Sequence, residues 1–319
     1  MLYTVKPGAF SCAPFIKEIG RGKDGARGLN QTQAEELFAA ILAGQVSELE
    51  LGAVLIALRV KGETAAELSG FLAAMKKHAM HTAACIEVQG ALKQLNLASQ
   101  AAGKPVVIIP SYNGARRKPN FTPLLAGLLA QRSYPVLVHG LGTESQSRVT
   151  SERVFERMQW TIHRPPMYVS MRNLNPAFAA ILELRNVLGV RNCAHTLAKL
   201  FVPTQLEDTL LVTAYTHPEF WNLQREVLAG IGQTALVLRG HEGEPVSAPY
   251  RTPRMDGVKH GKTWCIAEPE ALFSEQPDPR PDTDAQATAE LIARWLENPA
   301  EMPHGFLRQV NAIEAVANA

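Results

Sequence analysis

Cysteine is scarce in this chain of 319 residues: Cys12, Cys85, Cys193 and Cys265 are scattered, with no C-x-x-C pairing. That spacing disfavours a zinc site and a disulfide framework, and it predicts buried free thiols. Long apolar runs are missing as well, and none approaches the roughly 20 residues that a membrane span needs. The first residues, MLYTVKPGAFSC, show neither an apolar signal core nor a cleavage site. Together these absences predict a soluble, cytoplasmic protein with no membrane partner. Helix-turn-helix, zinc-finger and RNP signatures are absent too, which excludes the usual devices for reading base sequence.

What the chain does have is a charge asymmetry that its net charge of +2 conceals. Residues 101–200 hold 13 Lys/Arg against 4 Asp/Glu, whereas residues 201–319 hold 9 against 17. Cations gathered on one face raise the local potential and the encounter rate with polyanions. A hydrophobic content of 46% supports a substantial core, and the length suits two domains or a large α/β unit with a helical appendage.

Three helix starts are legible as capping pairs, Thr32 with Glu35, Ser47 with Glu50 and Thr64 with Glu67. Each precedes an apolar stripe at helical spacing: Leu37, Phe38, Ile41 and Leu42; Leu51, Val54, Leu55 and Leu58; Leu68, Phe71, Leu72 and Met75. Gly44 and Gly62 stand where the first two helices should stop. From residue 104 the pattern changes to PVVII, TPLLAGLLAQ and PVLVHG, which predicts a βαβ unit with Thr122 as N-cap and Pro123 in the first turn. LLVT at 210–213, ALVLR at 235–239 and TWCI at 263–266 are further strands. A helix is expected over 219–232, and a last one over 284–297 follows a loop rich in prolines and acids.

Residues 28–75, including the segment ALRVKGET, closely resemble the N-terminal helical domain of anthranilate phosphoribosyltransferases. The likeness continues through PVLVHG and LRNVLGVRNCAHTLAKL, and more loosely through GIGQTALVLRGHEG. It implies an α/β protein of the nucleoside phosphorylase/phosphoribosyltransferase type. A small helical domain over 1–90, joined by helices from about 172–200, would precede a larger α/β domain over 91–319 with a mainly parallel central sheet. It also implies a homodimer built through the helical domain.

The positions that carry the family's chemistry differ. Its glycine-rich G-T-G-G-D-G turn, which cradles the pyrophosphate of phosphoribosyl pyrophosphate, is PSYNGARRKPN here, with Gly114 as its one glycine. Backbone N–H groups reach pyrophosphate closely only where side chains do not obstruct, so this loop is expected to have exchanged a backbone cradle for the side chains of Arg116, Arg117 and Lys118. The family's K-H-G-N reads Val138, His139, Gly140, Leu141, and its adjacent Asp-Glu magnesium ligands are not found in RGHEGEPVSAP, which offers Glu242 and Glu244. Arg191 is kept where the enzymes meet the acceptor's carboxylate, while Asn192 and His195 replace Thr and Asn, and Lys199 adds a cation.

Ser111, Asn113, Gly114, His139, Gly140, Asn192 and His195 are therefore expected to line a vestigial substrate pocket, His195 in a structural role, with no catalytic residue, cofactor or metal ligand assigned. The pattern is most similar to the YbiB-type branch of this family, which the resemblance links to sequence-independent nucleic-acid binding, DNA and possibly RNA. The expected surface comprises Arg116, Arg117, Lys118, Arg148, Arg153, Arg157, Arg164, Arg172, Arg191 and Lys199, with Tyr112 as a stacking platform. The alternatives are a phosphoribosyltransferase using phosphoribosyl pyrophosphate and Mg2+, and a scaffold that binds another protein.

Overall fold

A computed structural model describes residues 8–22, 24–81, 86–142, 148–249, 251–271 and 284–319; Cys85 lies outside them. The chain begins with helices α1 (Ala13–Ile19), α2 (Gln31–Leu42), α3 (Glu48–Lys61), α4 (Ala65–His81) and α5 (Ile86–Ala102). Next come β1 (Val106–Pro110), α6 (Thr122–Gln131), β2 (Val136–Gly140), α7 (Ser151–Arg157) and β3 (Met167–Ser170). Four short helices follow: α8 (Met171–Leu174), α9 (Pro176–Glu183), α10 (Arg185–Leu188) and α11 (Ala194–Leu197). The chain then runs through β4 (Thr209–Tyr215), α12 (Pro218–Gly230), β5 (Ala235–Arg239), β6 (Arg251–Thr252), β7 (Met255–Lys259), β8 (Lys262–Ala267), β9 (Glu270–Ala271), α13 (Ala285–Glu297) and α14 (His304–Asn318).

Two compact units result, Met1–Ala83 with Asn175–Phe201, and Ala84–Leu174 with Val202–Ala319. The helical unit thus ends before the expected residue 90, and α5 belongs to the α/β unit. In the helical unit α2 packs along α4. Phe38 meets Phe71 at 4.9 Å and Phe178 at 6.4 Å between ring centroids, and all three are fully buried. Burial of each is worth roughly 1.5–3 kcal/mol of transfer free energy. Ser47 caps α3, and Thr64 and Glu67 form a reciprocal box at the start of α4 (2.8 and 3.2 Å). At α2 the cap is not Thr32: Asn30 and Gln33 form the box two residues earlier, with the same chemistry of amide oxygen to N–H. Cys12 and Cys193 are buried free thiols, but Cys265 is exposed, because β8 is an edge strand.

The α/β unit is built on a seven-stranded sheet of order β3-β2-β1-β4-β5-β7-β8. The first five strands are parallel and the last two antiparallel. Val107, Ile109, Val136, Val138, Leu210, Val212, Leu236 and Leu238 share one core with residues of α6, α7, α13 and α14, as the two-residue strand period requires. Their neighbours Ile108, Leu137, Leu211 and Val237 are buried too, so both faces are covered. Phe121, Trp295 and Phe306 form an aromatic cluster with centroids 5.0–5.9 Å apart. Strands β3 and β7 and helix α14 extend the expected element list, and α6 is capped from Phe121 rather than Thr122. From β1 the chain winds outward to β3 and then returns to β4, which opens a crevice beyond the C-terminal ends of β1 and β4.

Candidate anion-contacting site

The crevice is bordered by the loop after β1, and four of that loop's backbone N–H groups point at carboxylates. Asn113 N and Gly114 N both donate to Glu244 Oε1, at 2.7 and 2.6 Å. Arg116 N and Arg117 N donate to Glu242 Oε2, at 3.1 and 3.2 Å. The turn works because Gly114 adopts a φ of +63°, which directs successive N–H groups to one side. On the opposite strand end Gly243 allows the close approach: its carbonyl accepts from Asn113 Nδ2 at 2.6 Å, and a Cβ there would overlap the Asn113 amide. Helix α14 fixes this segment, since Gln309 accepts from Ser247 N (2.7 Å) and donates to the Pro245 carbonyl (3.0 Å).

This corrects the expectation that the backbone cradle is lost. It persists, filled from within by the side chains of Glu242 and Glu244. A magnesium-chelated sugar pyrophosphate does not fit the arrangement: the N–H groups that would meet its oxygens already hold one oxygen of Glu244 and one of Glu242. Among the described residues no cluster of three His, Cys, Asp or Glu could hold a metal ion.

The remaining pocket residues of this unit are also turned inward. Ser111 Oγ lies 2.7 Å from Ser151 Oγ, and Asn120 Nδ2 donates to Ser151 Oγ at 3.2 Å. A Cβ on Gly140 would run into the Ser111 carbonyl oxygen, so β2 and the loop touch backbone to backbone. Tyr112 is not an open stacking platform: its hydroxyl pairs with His139 Nδ1 at 2.9 Å, its ring meets the imidazole edge-on, and it is half-buried. Burial first, then Tyr168 and Glu244, pushes its phenol well above the usual range. Glu152 is raised by burial and Glu156, opposed by Arg172 and Arg153.

Arg116 and Arg117 are exposed, and their side chains leave the surface from a backbone that Glu242 anchors. Arg148 donates to the Gly114 carbonyl at 3.2 Å, beside the two-way backbone bridge between Ala115 and Val149. Arg153 in the first turn of α7 and Arg172 just beyond β3 share this edge of the sheet; with Lys118 they are half-buried and engaged by neighbours. Arg157 stands one turn, about 6 Å, further along α7 than Arg153 and is exposed, and Arg164 is exposed on the segment that leads into the N-terminal end of β3.

Arg191, Asn192, His195 and Lys199 fall in the helical unit. Asn192 is a structural residue there, donating to the Ile181 carbonyl (3.1 Å) and accepting from Ala194 N (3.0 Å). His195 lies 3.3 Å from Asn192, and burial, followed by Arg191, Arg185 and Arg59, lowers its pKa to about 4. It is a neutral packed imidazole. The residues that sequence reasoning underused are Glu242 and Glu244; the signal available was a pair of acids flanking a glycine at a strand end.

Residues 13–79 match the family described as "Glycosyl transferase family, helical bundle domain". YbiB of Escherichia coli K12, described as an uncharacterized protein, is 36% identical over 308 residues, spanning 92% of this chain and 91% of its own. An anthranilate phosphoribosyltransferase of Thermomicrobium roseum is 27% identical over 310 residues, 91% of this chain and 82% of that one. The crystal structure of the anthranilate phosphoribosyltransferase of Thermus thermophilus superposes with a TM-score of 0.66 at 20% identity, over 95% of this chain and 89% of that one; this is a likeness of fold. On the strength of the match to YbiB across nearly the whole of both chains, this chain belongs to the anthranilate phosphoribosyltransferase-like proteins of glycosyltransferase family 3, in the branch that includes YbiB.

Proposed function

We propose that this protein binds nucleic acid, DNA or RNA, without reading its sequence, and that it transfers no phosphoribosyl group. The observation that carries the reading is the occupation of the loop's N–H groups by Glu242 and Glu244. An anion arriving at this edge meets side chains, chiefly Arg116 and Arg117, with Arg148, Lys118, Arg153 and Arg172 behind them. Backbone phosphates need such cations and the release of condensed counterions, and no fixed catalytic geometry. The test is retardation of oligonucleotides of unrelated sequence in the absence of magnesium. Magnesium-dependent binding of phosphoribosyl pyrophosphate in calorimetry, together with no retardation, would replace this reading with the transferase.

A homodimer through the helical unit is part of the same proposal. Leu49, Ile56 and Val60 are 63%, 37% and 77% exposed, at i, i+7 and i+11 on α3, with Ala53 exposed between them. A stripe of this kind is the seam a second helix covers. A two-fold axis would double the number of cations offered to one strand of nucleic acid. No helix among the described residues is long and apolar enough to cross a membrane, and the reduced thiols Cys12 and Cys193 suit the cytoplasm.

A further inference from the structure

A cavity of about 260 Å³ lies outside the C-terminal ends of β4 and β5, which close on it with the paired residues Tyr215 and Arg239. Trp221, Arg251, Thr252 and Arg254 supply much of the remaining wall. Arg254 is committed: it forks onto the buried Asp256 at 3.1–3.2 Å and onto Glu268 at 3.0 Å. Trp221 is fixed as well, donating from Nε1 to Asp256 at 2.6 Å and lying under the Arg225 and Arg254 guanidinium groups, at 4.6 and 4.9 Å.

Arg239 and Arg251 are different. Neither has a carboxylate partner among the described residues. Two donors on the wall are also left over: Thr252 is only 2% exposed and its hydroxyl has no hydrogen-bond partner, and Arg251 Nε is likewise buried and unsatisfied. Buried donors are nearly always paired, and these two belong to residues of the cavity wall. Two uncompensated guanidinium groups ask for two negative charges, and the first turn of α12, at Pro218 on the rim, adds the positive end of a thirteen-residue helix. A tetrahedral dianion with several acceptor oxygens meets these demands where a single carboxylate does not. The cavity is roomier than a bare phosphate ion needs, and the Tyr215 and Trp221 rings give an apolar wall for an organic group.

We propose that this cavity binds the phosphate of a phosphomonoester, with Arg239 and Arg251 as its charge partners, the Thr252 hydroxyl as a further donor, and the Tyr215–Trp221 wall against the organic part. The phosphomonoester is either a free nucleotide-sized molecule or the 5′-phosphate end of a nucleic-acid strand. The proposal does not depend on the cations of the β1 loop.

The test uses the full chain in calorimetry with adenosine 5′-monophosphate and with adenosine, and in anisotropy with 5′-phosphorylated and 5′-hydroxyl oligonucleotides. The monophosphate should bind and adenosine should not. Arg239→Ala, at an exposed position that folding tolerates, and Arg251→Lys should each weaken the monophosphate about tenfold. Arg116→Ala/Arg117→Ala/Lys118→Ala should leave monophosphate binding unchanged, which separates failure of this site from failure of the loop. If the 5′-phosphate strengthens oligonucleotide binding and Arg239→Ala abolishes that gain, the strand end is the ligand. If the monophosphate binds while the two oligonucleotides bind alike, the ligand is a small molecule. No monophosphate binding at millimolar concentration, or binding indifferent to Arg239→Ala, overturns the proposal.

Discussion

Arg116→Ala/Arg117→Ala/Lys118→Ala isolates the electrostatic part of nucleic-acid affinity, because Glu242 and Glu244 hold the loop through its backbone. The N–H groups of residues 113, 114, 116 and 117 bond to Glu244 and Glu242 without the side chains at 116–118, so the variant chiefly removes charge. With Arg116, Arg117, Lys118 and Arg148 each meeting one phosphate of a duplex, log K falls against log salt with a slope of about −3.6. Between about 50 and 200 mM salt that is a loss of about 150-fold. With Arg148 alone the slope is about −0.9 and the loss about 3.5-fold. Fluorescence anisotropy on two duplexes of unrelated sequence, titrated at several KCl concentrations, measures both slopes. A triple variant that keeps a slope steeper than about −3, or a wild-type protein whose affinity ignores salt, refutes the reasoning.

Glu244→Ala leaves one buried and one half-buried N–H group without their charged acceptor, and at roughly 1.5–3 kcal/mol per such bond the urea unfolding free energy should fall by about 3 kcal/mol; a change under about 0.5 kcal/mol would contradict the plug. Glu242→Gln keeps an oxygen for Arg116 N and Arg117 N while removing a negative charge beside their side chains, so duplex affinity at low salt should rise and the gain should fade as salt is added. His195 binds fewer protons folded, at a pKa of about 4, than unfolded, near 6.5. Its contribution to stability is therefore complete above pH 6.5 and is lost as pH falls toward 4, and His195→Gln should flatten that limb of the unfolding profile. If the proposed dimer forms through α3, Ile56→Asp/Val60→Asp should convert it to monomer in sedimentation velocity with the circular dichroism intact; a wild-type chain that sediments as a monomer would sink the dimer proposal instead.

Much of the framework was legible because it is local. Ser47 with Glu50 and Thr64 with Glu67 announce helices through chemistry confined to one turn, and the runs at 105–109, 136–140 and 235–239 are β-branched or apolar stretches bounded by Pro and Gly. What was missed depends on partners distant in sequence. Helix α14 has a plain amphipathic pattern, but its place in the α/β core comes from Phe306 meeting Phe121 and Trp295. Arg153 and Arg157 share a helical face one turn apart, as their spacing says. The acids flanking Gly243 were a visible signal, but what Glu244 satisfies was not, since Gly114 lies 130 residues away.

A turn whose N–H groups converge is an anion site whether or not an anion is wanted, and leaving it empty in a buried setting costs about as much as losing the hydrogen bonds themselves. A turn of this kind that holds no external anion must either be remodelled or be given an internal one. This chain supplies two, from residues flanking Gly243, and the consequence for function follows from charge. The internal carboxylates cancel the attraction of the backbone for phosphate, so whatever anion now approaches must be held by side chains that extend past them. Arg116 and Arg117 do so at the end of β1. At the ends of β4 and β5, Arg239 and Arg251 border a cavity with no carboxylate partner of their own among the described residues. Binding along this edge of the sheet should accordingly divide into a salt-sensitive, shape-tolerant component at the loop and a saturable, stereochemically selective one at the cavity, and the two sets of arginine variants should abolish one without the other.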